Sequence, residues 1–160
     1  MDTVETPQRW TVTVDPLTVA LGFAHVQVER ALHPRASLYI GPSLHLYDGI
    51  LPAPEGSFKG YGVEVGLRGF LWGDAPRGGW VMVRGVVASV SGDPAGAPRE
   101  RSVGAYTSAL VGYTGILGPG LVLSGGAGIS YFDYGTSAAN PEWGIHGFLP
   151  ALHTNIGWAF

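Results

Sequence analysis

The chain has 160 residues, of which only 13% are charged, with 26 glycines, no cysteine and a formal net charge of −3. That length holds one domain or one small barrel, the charged share is about half the usual one, and glycine is about twice its usual share. The charge balance excludes a basic nucleic-acid footprint, and the missing cysteine excludes a disulfide framework, thiolate chemistry and a Cys-built metal site.

In chain order, the opening M-D-T-V-E-T-P-Q-R-W carries no basic n-region and no apolar h-region, so it does not read as a signal peptide. Residues 1–8 are expected to be a tail and 9–160 a single domain. Residues 9–31 read as two strands, split near 9–18 and 21–31 around a tight turn. The difficult spot is Asp15-Pro16, because proline cannot donate to a ladder; a bulge or an early turn there would resolve it.

The clearest alternation follows. From Arg35 to Asp48, Leu38, Ile40, Leu44 and Leu46 oppose Ser37, Tyr39, Gly41, Ser43, His45 and Tyr47. From Gly60 to Trp72, Tyr61, Val63, Val65, Leu67 and Leu71 oppose Gly62, Glu64, Gly66, Arg68 and Phe70. From Trp80 to Ser91, Val81, Val83 and Val87 oppose Met82, Arg84, Val86 and Ala88. Val103 to Thr114 is nearly apolar on both faces, and Leu121 to Tyr134 sets Leu121, Leu123, Ile129 and Tyr131 against Ser124, Gly126, Gly128 and Ser130. Successive side chains of a strand point to opposite faces, so each segment reads as a two-sided strand. Ser102 to Phe132 contains no charge and invites a transmembrane helix. The glycines at 112, 115, 118, 120, 125, 126 and 128 would each weaken a helix interior, and G-P-G at 118–120 reads as a turn between two strands.

The last stretch, F-L-P-A-L-H-T-N-I-G-W-A-F, puts Phe148, Pro150, Leu152, Thr154, Ile156, Trp158 and Phe160 on one face. Small or polar residues, among them His153 and Asn155, fill the other. A chain stopping on Phe after such alternation resembles the terminal strand of bacterial outer-membrane β-barrels. The resemblance implies that Ile156, Trp158 and Phe160 form the signal read by the barrel assembly machinery. Connections alternate short (31–35, 73–79, 115–120) and long (49–59, 92–101, 135–146), as in membrane barrels with short periplasmic turns and longer outer loops. Counting back from the last strand requires two strands in 9–31 and gives eight in all.

The segments V-D-P-L at 14–17, V-Q-V-E-R-A-L at 26–32, S-L-Y-I at 37–40, V-G-Y at 111–113, G-G-A-G-I-S-Y at 125–131 and the I-G-W-A-F ending together resemble the DUF3575 family of small bacterial barrels of undefined role. The fold class expected is therefore all-β: an eight-stranded antiparallel transmembrane β-barrel of the outer-membrane type. Residues 1–8 would then be a periplasmic tail, and the chain a mature form with an added Met.

On this reading the small-residue face lines the lumen. Glu64, Arg68 and Arg84 fall there on neighbouring strands. An eight-stranded lumen is just filled by side chains, so buried charges there must pair; a Glu64–Arg84 or Glu64–Arg68 contact is expected. Tyr39, His45, Tyr47 and His153 join them as polar and aromatic filling, with glycines leaving room for Tyr39, Tyr47 and Phe70 to cross. None of the five histidines has a metal-ligand spacing, so no metal and no cofactor is expected. His153 with Asn155 two positions on invites comparison with outer-membrane lipid A deacylases, but Asn155 is no nucleophile and Thr154 has no evident base. G-G-A-G at 125–128 lies within a strand and lacks the phosphate-loop context.

The function expected is a non-enzymatic structural or scaffolding outer-membrane protein within a cell-envelope assembly, its lumen plugged by side chains. The partners expected are outer-membrane lipid, the assembly machinery and other envelope proteins, with no nucleic acid. The alternatives are a lipid-modifying enzyme and a soluble lipocalin-like barrel holding an apolar ligand.

Overall fold

The computed structural model describes residues 8–20, 23–45, 56–94, 100–133 and 146–160. Eight strands follow one another around a closed antiparallel barrel: β1 Trp10–Val14, β2 Phe23–His33, β3 Ala36–His45, β4 Gly56–Trp72, β5 Gly78–Pro94, β6 Glu100–Leu117, β7 Leu121–Asp133 and β8 His146–Ala159. One short helix, α1 (Pro16–Ala20), interrupts them. The all-β class, the closed antiparallel barrel and the eight strands are those expected from the alternation and the count of connections.

The register fixes the barrel's geometry. Crossing the wall from Trp10 through Arg30, Leu38, Leu67, Val83, Ala109 and Ile129 leads to Pro150. The β1–β8 register, which pairs Thr11 with Ala159 and Val14 with Ile156, sets Pro150 opposite position 20. One circuit thus shifts the chain by ten residues. For eight strands about 4.8 Å apart with about 3.3 Å rise per residue, that shear tilts the strands by roughly 40°.

The short connections gather at one end. Pro34–Arg35 is a two-residue turn, and Gly118–Gly120 closes β6 onto β7 with Gly118 and Gly120 at φ 52° and 152°, in the left-handed range where glycine is favoured. The same end carries the closure of β1 onto β8, where Trp10 and Phe160 exchange backbone bonds of 3.0 and 2.9 Å.

Strands β4, β5 and β6 extend beyond the sequence-based boundaries, over 56–72, 78–94 and 100–117. The segment 56–59 and the 92–94 and 100–101 stretches, expected as loop, are paired in the sheet. The opposite correction applies to β1. It ends at Val14 rather than running to 18, and no tight turn joins it directly to β2. Asp15 accepts from the backbone N–H of Leu17 (2.9 Å) and Thr18 (3.3 Å), which caps a helix beginning on Pro16. Proline is at home in the first helical position and damaging in a ladder. The early end that Asp15-Pro16 requires therefore takes helical form.

Burial separates the two faces. Outward lie Val12, Val14, Leu38, Ile40, Leu44, Val63, Val65, Leu67, Val81, Val83, Val87, Val111, Leu123, Ile129, Leu152 and Ile156, all exposed. Inward lie Thr11, Gln27, Glu29, Ser37, Glu64, Arg68, Arg84, Ser108, Ser130, His153 and Asn155, all buried.

Candidate functional site: the charged lumen

Each lumen residue owes its position to strand parity. Glu64 and Arg68, four apart on β4, face inward together, as do Gln27 and Glu29 on β2, Ser37 and Tyr39 on β3, and His153 and Asn155 on β8. Phe70, Trp80, Met82 and Leu110 pack together as a floor in the lumen toward the short-turn end. Trp80 crosses it: its indole N–H donates to Thr114 Oγ1 at 2.9 Å, and Thr114 meets Ser124 at 2.8 Å. A Cβ on Gly112 or Gly126 would stand 2.4 and 2.6 Å from the Trp80 ring, so those glycines make its bed. Gly66 does the same for Tyr39, with a Cβ falling 2.2 Å from that ring.

Above the floor sit two ion pairs. Arg68 donates to Glu29 Oε2 at 2.6 Å and to His153 Nε2 at 2.7 Å. Ser37 and Thr11 complete the shell of Glu29, the Ser37 bond being very short and the Thr11 bond 3.4 Å. The Arg68 guanidinium lies 5.2 Å from the Tyr39 ring and 4.9 Å from the Trp80 ring, within cation–π range of both. The second pair is looser. Glu64 Oε1 accepts from Tyr39 O–H at 2.6 Å and Gln27 Nε2 at 3.0 Å, while Arg84 reaches Glu64 Oε2 only at 3.5 Å. Arg84 also donates to Ser108 at 3.2 Å, which meets Ser130 at 2.6 Å. Asn155 donates to Gln27 Oε1 at 2.5 Å and so links the β8 side to the upper pair.

An arginine has donors only, so His153 Nε2 accepts and the ring proton sits on Nδ1. That Nδ1, Glu64 Oε2 and Asn155 Oδ1 are buried without a hydrogen-bond partner among the described residues.

Of the residues the sequence points to, Glu64 and Arg84 meet. Arg68 does not pair with Glu64; it pairs with Glu29, because Arg68 lies opposite Ser37 and Glu29 lies opposite Tyr39, the next inward residue of β3, so the two meet on the diagonal across that strand. Tyr39 and His153 are fully buried in the lumen. The His45 side chain and all of Tyr47 lie outside the described residues. Ile156, Trp158 and Phe160 share the outer face. Sequence reasoning misses Glu29 and Gln27, although V-Q-V-E at 26–29 carries the same alternation. It also finds no base for Thr154, whose hydroxyl donates to Asp15 at 2.6 Å. Asp15 is already engaged as the cap of α1. Among the described residues no group of three His, Asp or Glu side chains is arranged to hold a metal ion.

Comparisons with protein families, with curated proteins and with solved structures return no match to this chain.

Proposed function

We propose that the protein is a bacterial outer-membrane barrel with a structural or scaffolding role in an envelope assembly, its lumen closed by its own side chains. One observation carries this reading: the polarity of the barrel is inverted relative to water. The outer face is an apolar belt bounded by two aromatic rows. Trp10, Trp72, Trp158 and Phe160 stand toward the short-turn end, and Tyr61, Tyr131 and Phe148 toward the other, all exposed. About ten residues of strand separate the rows; at ~3.3 Å rise and ~40° tilt this is about 25 Å, the height of the lipid-facing band of outer-membrane barrels. The inside holds two Glu–Arg pairs, and an eight-stranded lumen is just filled by side chains, which favours a plugged scaffold over a pore. A soluble barrel with an apolar ligand would need the opposite arrangement of faces.

The partners on this reading are outer-membrane lipid, the assembly machinery through Ile156, Trp158 and Phe160, and other envelope proteins at the exposed surface. The test is electrophoresis of the detergent-extracted protein with and without boiling, followed by crosslinking in the native membrane. A heat-dependent mobility shift and a defined crosslinked envelope complex are expected. Absence of the shift overturns the membrane barrel, and a shift with lipid-only crosslinks overturns the scaffold.

A further inference from the structure

The wall is not equally continuous all the way round. Strand β8 pairs with β7 along its whole length, from Trp158 opposite Leu121 to His146 opposite Asp133. It pairs with β1 only from Ala159 to Ile156. Above that point α1 stands where a strand would be, and a Thr154–Asp15 hydrogen bond of 2.6 Å crosses the seam there.

Backbone parity shows that the gap is written into the sequence. Trp10 and Phe160 bond each other across the seam, whereas the Asp15 N–H bonds toward β2 and the Ala159 N–H toward the β6–β7 turn; at the end of the seam Arg9 does both, its N–H reaching Phe160 and its carbonyl accepting from Ala31. Even-numbered residues of β1 and β8 therefore direct their backbone groups at the seam. Pro16 and Pro150 are both even-numbered, and each removes an N–H from that ladder. No described strand accepts the remaining edge of β8 from Thr154 to Phe148. Phe148 belongs to the upper aromatic row and Leu152 lies one turn of pleat pairs below it, so this edge is at lipid depth on the proposed membrane reading. Unpaired backbone groups are not left facing hydrocarbon.

Behind the notch, on the same strand, lie His153 at 0% and Asn155 at 5% exposure. Their unpaired atoms are complementary: Nδ1 carries a donor and Oδ1 is an acceptor. A hydroxyl or a protonated carboxyl offers one acceptor and one donor and matches both. An ionised carboxylate has no proton to give Asn155 Oδ1, so a head that keeps an O–H suits the pair better. Outside the notch, Leu17, Val19, Leu152 and Phe148 are exposed and apolar, a surface suited to one hydrocarbon chain.

We infer that the seam between α1 and β8 is a side entrance from the bilayer, and that it seats a single-chain amphiphile with a hydroxyl or protonated carboxyl head, such as a fatty acid. The chain lies along α1 and the outer face of β8, and the head hydrogen-bonds His153 and Asn155. This rests on the membrane reading above.

The test is solution NMR of the full chain in deuterated micelles with palmitic acid labelled with carbon-13 at its carboxyl. The expected result is a carboxyl resonance distinct from that in protein-free micelles. Acyl cross-peaks on the Leu17, Val19 and Leu152 methyls and a shifted Asn155 side-chain amide should accompany it. Asn155→Leu should abolish the distinct resonance while leaving the backbone spectrum of the barrel in place. If that variant does not fold, the wild-type spectrum decides alone. A carboxyl resonance identical to that of empty micelles, or acyl cross-peaks spread evenly around the belt, overturns the proposal. In a second sample with protonated detergent, detergent cross-peaks on the Val63, Leu67 and Val83 methyls report separately on the membrane reading, so that failure of one is not mistaken for failure of the other.

Discussion

The two ion pairs of the lumen are built to different standards. Glu29–Arg68 is direct at 2.6 Å, and its arginine is held by His153, Tyr39 and Trp80. Glu64–Arg84 is stretched to 3.5 Å, leaves Glu64 Oε2 without a hydrogen bond, and places Arg84 6 Å or so from Tyr106 in looser surroundings (5.9 Å to the ring). The lower pair is closely bonded and packs against the Trp80 floor. The upper pair, with the unpaired atoms of His153 and Asn155 beside it, is a polar cluster with unmet hydrogen-bonding capacity. The same eight strands thus carry a closely bonded base and an upper half with unmet hydrogen bonds.

Arg68→Ala sharpens this contrast most. It leaves Glu29 charged and buried without its partner, and loss of one member of a buried pair costs about 3–5 kcal/mol. Urea titration of the folded barrel in vesicles should show that loss. Replacing Glu29 and Arg68 together by Leu and Met should restore most of it, since apolar side chains of similar volume often match a buried pair.

Next in size is a change on the outer face. Val83, 65% exposed in the middle of the belt, changed to Arg should destabilise the vesicle-inserted protein by about 2–4 kcal/mol, the cost of a cation at the bilayer midplane. The same substitution would be nearly neutral if that face met water.

Glu64→Gln should have a smaller effect than Arg68→Ala, about 1–3 kcal/mol. Gln keeps acceptors for Tyr39 and Gln27, and Arg84 retains Ser108. Equal losses at the two pairs would erase the distinction drawn between them. The smallest effect is expected at the seam: Asp15→Ala removes the cap of α1 and the Thr154 bond, about 1 kcal/mol. Its signature is faster amide exchange confined to α1 and the adjoining end of β8.

Much of this architecture was legible in the sequence because a barrel wall is a local pattern. Period-two alternation, the short connection at 31–35, the turn at 118–120 and the aromatic ending placed six of the strands and the inward face of Glu64, Arg68, Arg84, Tyr39 and His153, and counting back over the connections supplied the other two. Two kinds of information were not local. Glu29 meets Arg68 only through the stacked registers of three strands, across 39 residues of sequence, and no periodicity encodes which arginine it will face. The end of β1 depended on a competition at Asp15-Pro16 between extending a strand and capping a helix. The apolar 16–20 segment fits either until the missing N–H of Pro16 is aligned with the seam. The resemblance of scattered Gly and aromatic motifs to a barrel family adds expectation but no residue-level detail.

The central claim is that the apolar belt is made for lipid and the charged interior for side-chain pairing. Its most direct test is refolding of the urea-unfolded chain by dilution into phosphatidylcholine vesicles and, in parallel, into plain buffer, followed by circular dichroism and tryptophan emission. The belt predicts β-sheet and blue-shifted emission in vesicles only, with collapse or aggregation in buffer. An equally cooperative, monomeric β fold in buffer, unchanged by added vesicles, would contradict it.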